Sequence, residues 1–172
     1  MIDRNITKTF EYVDGISIDT DMLCKSVEEI QSLGLQSTWK QKERQTFNLD
    51  KAYVYNSQTS VYDQFEVQKD VIDAITPQLD FDCHPDFIRY QVIRSGIPKH
   101  TDAKRYGVIN YLINAGGDFV YTHWYDDNDN IIETQIVEEN SWYKMRTDID
   151  HRIIGMTSDR LMLSISLMDW NW

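Results

Sequence analysis

From residue 87 to 170 the chain is written in short alternating segments separated by turn residues, and this pattern leaves few folds open. Successive side chains on a strand point to opposite faces, so a period of two marks a sheet with two unlike sides. Stretches at 87–94, 106–114, 118–125, 131–137, 142–146, 151–155 and 160–170 are rich in β-branched and aromatic residues. Ser95-Gly96-Ile97-Pro98, Gly116-Gly117 and the polar run at 126–130 punctuate them. Many short strands at regular intervals predict a sandwich or jelly roll.

The first half has a different texture. Residues 1–18 alternate loosely and predict one or two short edge strands. Asp19-Thr20 offers a cap, and Met22, Leu23, Val27, Ile30 and Leu33 recur at helical spacing up to Gly34, which predicts a helix over 20–33. A strand is expected at 51–55. Phe65, Val67, Val71, Ile72, Ile75 and Leu79 predict a second helix over 64–79, ended or kinked by Pro77. The chain is therefore expected to be one domain over 1–172: a helical and extended part to about 80, and a β core from about 84 to 170. The two helices would cover one sheet.

Composition narrows the partners. A net charge of −11, from 28 acidic and 17 basic residues, repels phosphates and anionic lipid surfaces. No nucleic acid and no membrane are expected, and a peptide or small molecule is the expected substrate. No secretory segment or long apolar run is visible, so a cytoplasmic location is expected. Cys24 and Cys83 are then expected to be free thiols.

The chemistry is concentrated at His100-Thr101-Asp102. Two ligand side chains one residue apart, at the end of a strand-connecting loop, can reach one ion. A later imidazole completes the two-histidine, one-carboxylate face of non-heme iron oxygenases. With 20 Asp and four His in the chain, a lone His-x-Asp is weak, and His84-Pro85-Asp86 is a second match. The latter abuts a helix end and reads as a surface turn. His100 is favoured because His151 opens a predicted strand and Arg160 follows nine residues later. The 151–155 and 160–170 segments are expected to form a hairpin that brings Arg160 beside His151. On the last strand Leu161, Leu163, Ile165 and Leu167 form an apolar face, with Arg160, Met162, Ser164 and Ser166 opposite. Such a strand lies between core and pocket.

Other polar features are expected to be structural. The 126–130 run lacks the glycine of a calcium loop and reads as a hairpin turn. His123 reads as a hydrogen-bonded strand residue. Arg94, Lys99, Lys104 and Arg105 read as a solvated rim around the loop. Trp39, Trp124 and Trp142 are core or pocket aromatics.

Arg89-Tyr90, Ser95-Gly96, His100-Thr101-Asp102, Tyr111-Leu112, Gly116-Gly117, His151 and Arg160 come in an ordered set over about residues 88–168. This set resembles the Fe(II)/2-oxoglutarate-dependent oxygenases, and most the prolyl 4-hydroxylase-like branch. The resemblance implies a double-stranded β-helix, the cupin-like jelly roll. It implies iron ligands His100, Asp102 and His151, with Arg160 on the distal carboxylate of 2-oxoglutarate and hydroxyl donors at Tyr111, Tyr90 and Ser164. It implies a dioxygenase using Fe(II), 2-oxoglutarate and O₂. That enzyme would hydroxylate a peptidyl or free amino-acid side chain of the prolyl, asparaginyl or aspartyl type, with release of succinate and CO₂. His123, Trp124 and the bulky 142–146 segment depart from the family pattern and bear on the substrate. The alternatives are a non-catalytic jelly-roll protein binding a metal or ligand, and a zinc hydrolase with the same three ligands.

Overall fold

The computed structural model describes residues 6–38, 62–94, 97, 99–102 and 105–168. The strand expected at 51–55, Trp39, the Ser95-Gly96 bend with Pro98, Lys104 and the end of the last strand lie outside these residues.

The described chain is mainly β, in two antiparallel sheets. In order come β1 (Phe10–Tyr12), α1 (Val27–Ser32), β2 (Tyr62–Phe65), α2 (Lys69–Ile75), β3 (Ile88–Ile93), β4 (Arg105–Asn114), β5 (Tyr121–Tyr125), β6 (Ile131–Ile136), β7 (Trp142–Arg146), β8 (His151–Ile154) and β9 (Arg160–Met168). The larger sheet runs β1-β7-β4-β9-β3-β2 and the smaller β6-β5-β8.

Period two separates two cores. On the outer face of the large sheet, Tyr90, Ile109, Leu163 and Ile165 pack against Val27 and Ile30 of α1 and Val71 and Ile75 of α2. On the inner face, Val108, Leu112, Met145 and Met162 meet Trp124 and Ile153 of the small sheet. Each fully buried aliphatic contributes roughly 1.5–3 kcal/mol. The alternation of β9 is as read: its odd residues join the helix-side core, and Arg160 and Met162 face the small sheet. The edge strand expected before residue 18 is β1, registered on β7 with Phe10 opposite Met145.

Three expectations are corrected. The helix over 20–33 is two pieces: a 3-10 turn at Thr20–Met22 capped by Asp19, and α1, restarted by Ser26. The Ser26 hydroxyl accepts from the Glu29 amide, which begins a new helix inside the apolar stripe. The Cys24 amide is meanwhile bonded to the Tyr90 hydroxyl at 3.1 Å and is lost to any continuous helix. The helix over 64–79 begins only at Lys69, because Tyr62–Phe65 pairs with β3, Phe65 opposite Tyr90. Phe65 and Val67 lie two apart, which suits a strand equally well.

The third correction concerns the hairpin. β8 pairs with β5, whereas β9 lies between β3 and β4. The two strands belong to different sheets, so His151 and Arg160 face a common cavity from opposite walls. Gly155 makes the crossing possible: at φ +84°, a Cβ there would lie 2.1 Å from the Phe119 carbonyl oxygen.

Candidate metal centre and anion pocket

His100 and His151 are set by main-chain bonds. The His100 amide donates to the His151 carbonyl at 3.0 Å, and the His151 amide returns the bond at 2.9 Å. Ile97 is tied to the same strand, its carbonyl accepting from the Ile153 amide at 3.1 Å. The two rings sit with centroids 4.4 Å apart. Asp102 is anchored by its amide to the Thr147 carbonyl at 2.8 Å. Its Oδ1 lies 3.5 Å from His100 Nε2. One ligand atom from each of His100, Asp102 and His151 falls within 4.8 Å of the other two, a spacing that one divalent ion can bridge.

The protonation states suit a cation. His151 Nδ1 lies 2.9 Å from the Ile149 carbonyl, which can only accept, so this nitrogen carries the proton and Nε2 keeps its lone pair. Burial, with His100 beside it, lowers the His151 pKa to about 4, so the ring is neutral near pH 7. Burial alone would raise the Asp102 carboxyl, but the Arg105 guanidinium overrides it and holds the group well below the usual carboxylate range. The neutral His151 imidazole, the His100 ring and the ionised Asp102 carboxylate are an oxygen- and nitrogen-donor set of the kind that can hold a first-row divalent metal.

Arg105 was expected on a solvated rim and is instead part of the site. Its Nε donates to Asp102 Oδ2 at 2.7 Å and its Nη1 to Ser166 Oγ at 3.2 Å. With Oδ2 taken, Oδ1 is the oxygen turned toward His100. The sequence signal was available: Arg105 stands three residues after Asp102, at the head of an apolar strand. Of the other expected rim residues, Arg94 and Lys99 lie outside the cavity lining. Arg94 bridges Asp63 and Asp159, each at 3.1 Å, and Lys99 pairs with Asp129 and Asp150.

The cavity lies between the two sheets and is narrow. Its apolar lining includes Ile93, Ile97, Val108, Ile153 and Met162. Arg160 lines it at only 1% exposure. Its Nη1 donates to the Ala115 carbonyl at 3.3 Å, its Nε has no partner, and among the described residues no carboxylate pairs with it. Gly116 permits this approach, since at φ +81° a Cβ would meet the Ser158 carbonyl at 2.8 Å and Arg160 Cβ at 3.2 Å. Gln91 Nε2, Asn110 Oδ1 and Ser164 Oγ are likewise buried without partners, on the cavity side of the large sheet. Buried polar groups are normally bonded. Three of these orphans, on Arg160, Gln91 and Asn110, belong to residues that line the cavity, which suits a polar guest.

Tyr90 and Tyr111 are not brought to the cavity, which corrects their expected role as hydroxyl donors there. Both pack in the helix-side core. The Tyr90 hydroxyl donates to Gln68 Oε1 at 2.9 Å, and that of Tyr111 faces Asn140 Oδ1 at 3.4 Å. Each tyrosine is one residue out of phase with the cavity face, whose occupants are Gln91 and Asn110. His123 points to the outer face of the small sheet, bonded to Thr134 and stacked on Tyr121. Trp124 is buried and donates to the Arg146 carbonyl at 3.1 Å, while Trp142 packs in the helix-side core beside Tyr111. His84 caps an exposed 3-10 turn at Pro85–Phe87, and Asp126 closes the β5–β6 turn by accepting from the Asn128 and Asn130 amides. Both behave as the surface turns expected of them.

No helix among the described residues is long and apolar enough to cross a membrane. Compared with protein-family models and with curated proteins, the chain matches none.

Proposed function

We propose that the protein is an Fe(II)- and 2-oxoglutarate-dependent dioxygenase built on a double-stranded β-helix. Its proposed substrate is a peptidyl or free amino-acid side chain of the prolyl, asparaginyl or aspartyl type. One observation carries the reading: a His-Asp-His cluster and a buried guanidinium, with no carboxylate partner among the described residues, share one cavity. A zinc hydrolase would use the cluster but has no need of the buried Arg160.

His100, Asp102 and His151 would hold the metal, leaving its other positions open. When bound, iron and 2-oxoglutarate supply the oxidising chemistry: O₂ is consumed, the co-substrate leaves as succinate and CO₂, and one oxygen atom enters a substrate C–H bond. Arg160 binds the far carboxylate and fixes how deep the co-substrate sits. Arg105 orients Asp102 and keeps it ionised. The His151–Ile149 bond holds the imidazole in the ligating tautomer. Ile93, Ile97, Val108 and Met162 exclude bulk water and strengthen the charge interactions within.

Partners other than substrate are not part of this reading: no nucleic acid and no membrane, consistent with a net charge of −11, and a cytoplasmic location. The test is joint stabilisation. Mn(II) and 2-oxoglutarate together are expected to raise the melting temperature beyond either alone, through linkage. With Fe(II) and O₂, a screen of amino acids and peptides is expected to show succinate release. Stabilisation by Zn(II) with no response to 2-oxoglutarate would favour the hydrolase; no response to any metal would favour a non-catalytic binding protein.

A further inference from the structure

We infer that Gln91 and Asn110 are co-substrate-binding residues, sharing the buried carboxylate of a dicarboxylate with Arg160. The inference rests on the proposed function and names side chains that the sequence pattern did not single out. Both residues are on central strands of the large sheet and are 4% and 3% exposed. Both line the cavity that holds Arg160 and the His-Asp-His cluster.

The register places them together. On β9, Arg160 stands opposite Ile93, Met162 opposite Gln91, and Ser164 opposite Asn110 of β4. Gln91 is thus diagonal to both Arg160 and Ser164, a separation of roughly 7–8 Å between backbones that long side chains span. Arg160, Gln91, Ser164 and Asn110 share one face of the large sheet, and all but Ser164 line the cavity. Each carries a buried atom without a partner: Nε, Nε2, Oγ and Oδ1. A group serving only the fold would be expected to have found a bond within it.

The donors match an anion. Gln91 Nε2 and Arg160 Nε are N–H groups with nothing to donate to. Asn110 is held at its other end, Nδ2 donating to the Tyr143 hydroxyl at 3.1 Å. A hydroxyl both donates and accepts, so a half-turn of the amide brings Nδ2 to the cavity and reverses the Tyr143 bond, the hydroxyl then donating to Oδ1 instead of to Met162 Sδ at 3.8 Å. A carboxylate there meets a charged fork and neutral donors. These supply further bonds without a second positive charge that would need its own counter-ion.

The experiment is thermal unfolding and calorimetric titration of the full chain without O₂, with Mn(II) alone and with Mn(II) plus 2-oxoglutarate. The variants are Gln91→Leu, Gln91→Met, Gln91→Glu and Asn110→Leu. All are expected to keep the Mn(II) stabilisation. The neutral variants are expected to bind 2-oxoglutarate roughly ten- to a hundredfold more weakly, the loss of one bond to a charged group. Gln91→Glu sets a like charge against the ligand and is expected to lose more. Without ligand the neutral Gln91 variants are expected to melt no lower than wild type, because each removes an orphan, whereas Asn110→Leu also gives up the bond to Tyr143. Wild-type affinity in the Gln91 and Asn110 variants would overturn the inference and leave the proposed function standing. Stabilisation of wild type by Mn(II) with no response to 2-oxoglutarate would overturn both.

Discussion

Replacing Arg160 with methionine separates a binding role from a structural one, because the two roles predict opposite signs for the free protein. Arg160 is 1% exposed and, among the described residues, makes one hydrogen bond of 3.3 Å and leaves its Nε unpaired. Methionine keeps the hydrocarbon stem and fills similar space. Removing an unsatisfied buried donor recovers about 1–3 kcal/mol, and losing one ordinary hydrogen bond gives back about 0.5–1.5 kcal/mol. The free variant is therefore expected to be more stable by about 0–2 kcal/mol. At about 2–4 °C per kcal/mol for a chain of this size, that is a rise of up to about 8 °C. Binding moves the other way. Truncating one side of a buried charge pair costs about 2–5 kcal/mol, so 2-oxoglutarate should bind roughly 30- to 4,000-fold more weakly. The assay is thermal unfolding followed by circular dichroism, with and without Mn(II) and 2-oxoglutarate, backed by calorimetric titration. Arg160→Lys keeps the charge but not the fork and should fall between. A variant that melts well below wild type and binds 2-oxoglutarate unchanged would refute the reasoning and make Arg160 a structural residue.

Further expectations follow from the same geometry. His100→Ala or Asp102→Ala should abolish succinate release, and each should abolish the Mn(II) stabilisation measured in the melting assay. Asp102→Asn should also destabilise the metal-free protein by about 3–5 kcal/mol in urea, because it strands the Arg105 charge. The Asp102 carboxyl is depressed in the fold, so its contribution is present above the unfolded carboxylate pKa of about 4 and is lost as pH falls below it. Arg105→Gln should flatten this acid limb in melting temperatures recorded from pH 7 to 3. Gly116→Ala should cost about 1–3 kcal/mol by equilibrium unfolding, from a positive φ and a 2.8 Å clash. Burial raises both thiols, Cys83 to about 11, so iodoacetamide at pH 8 should label the native chain far more slowly than the unfolded one.

The chain's own lettering set the strands and the faces they show. Seven segments read from alternation correspond to β3–β9, and the two-sidedness of β9 followed from Leu161, Leu163 and Ile165 against Arg160 and Met162. Period two is a local property of the backbone, so it can be read without knowing the partners. The apolar stripes were harder to read, because Ser26 and Phe65 are compatible with either helix or strand until a neighbour decides.

Tertiary structure alone decided which strands pair and which side chains share a cavity. Sequence order suggested a β8–β9 hairpin, yet the strands separated into two sheets, each with its own buried face to cover. Tyr90 and Tyr111 lost their expected place to Gln91 and Asn110 through a phase of one residue, and phase relative to a distant sheet is not written locally. The partnership of Arg105 with Asp102 was within reach in sequence, but its burial was not. His100, Asp102 and His151 could be named from the chain; their convergence within 4.8 Å depended on two main-chain bonds between segments some fifty residues apart.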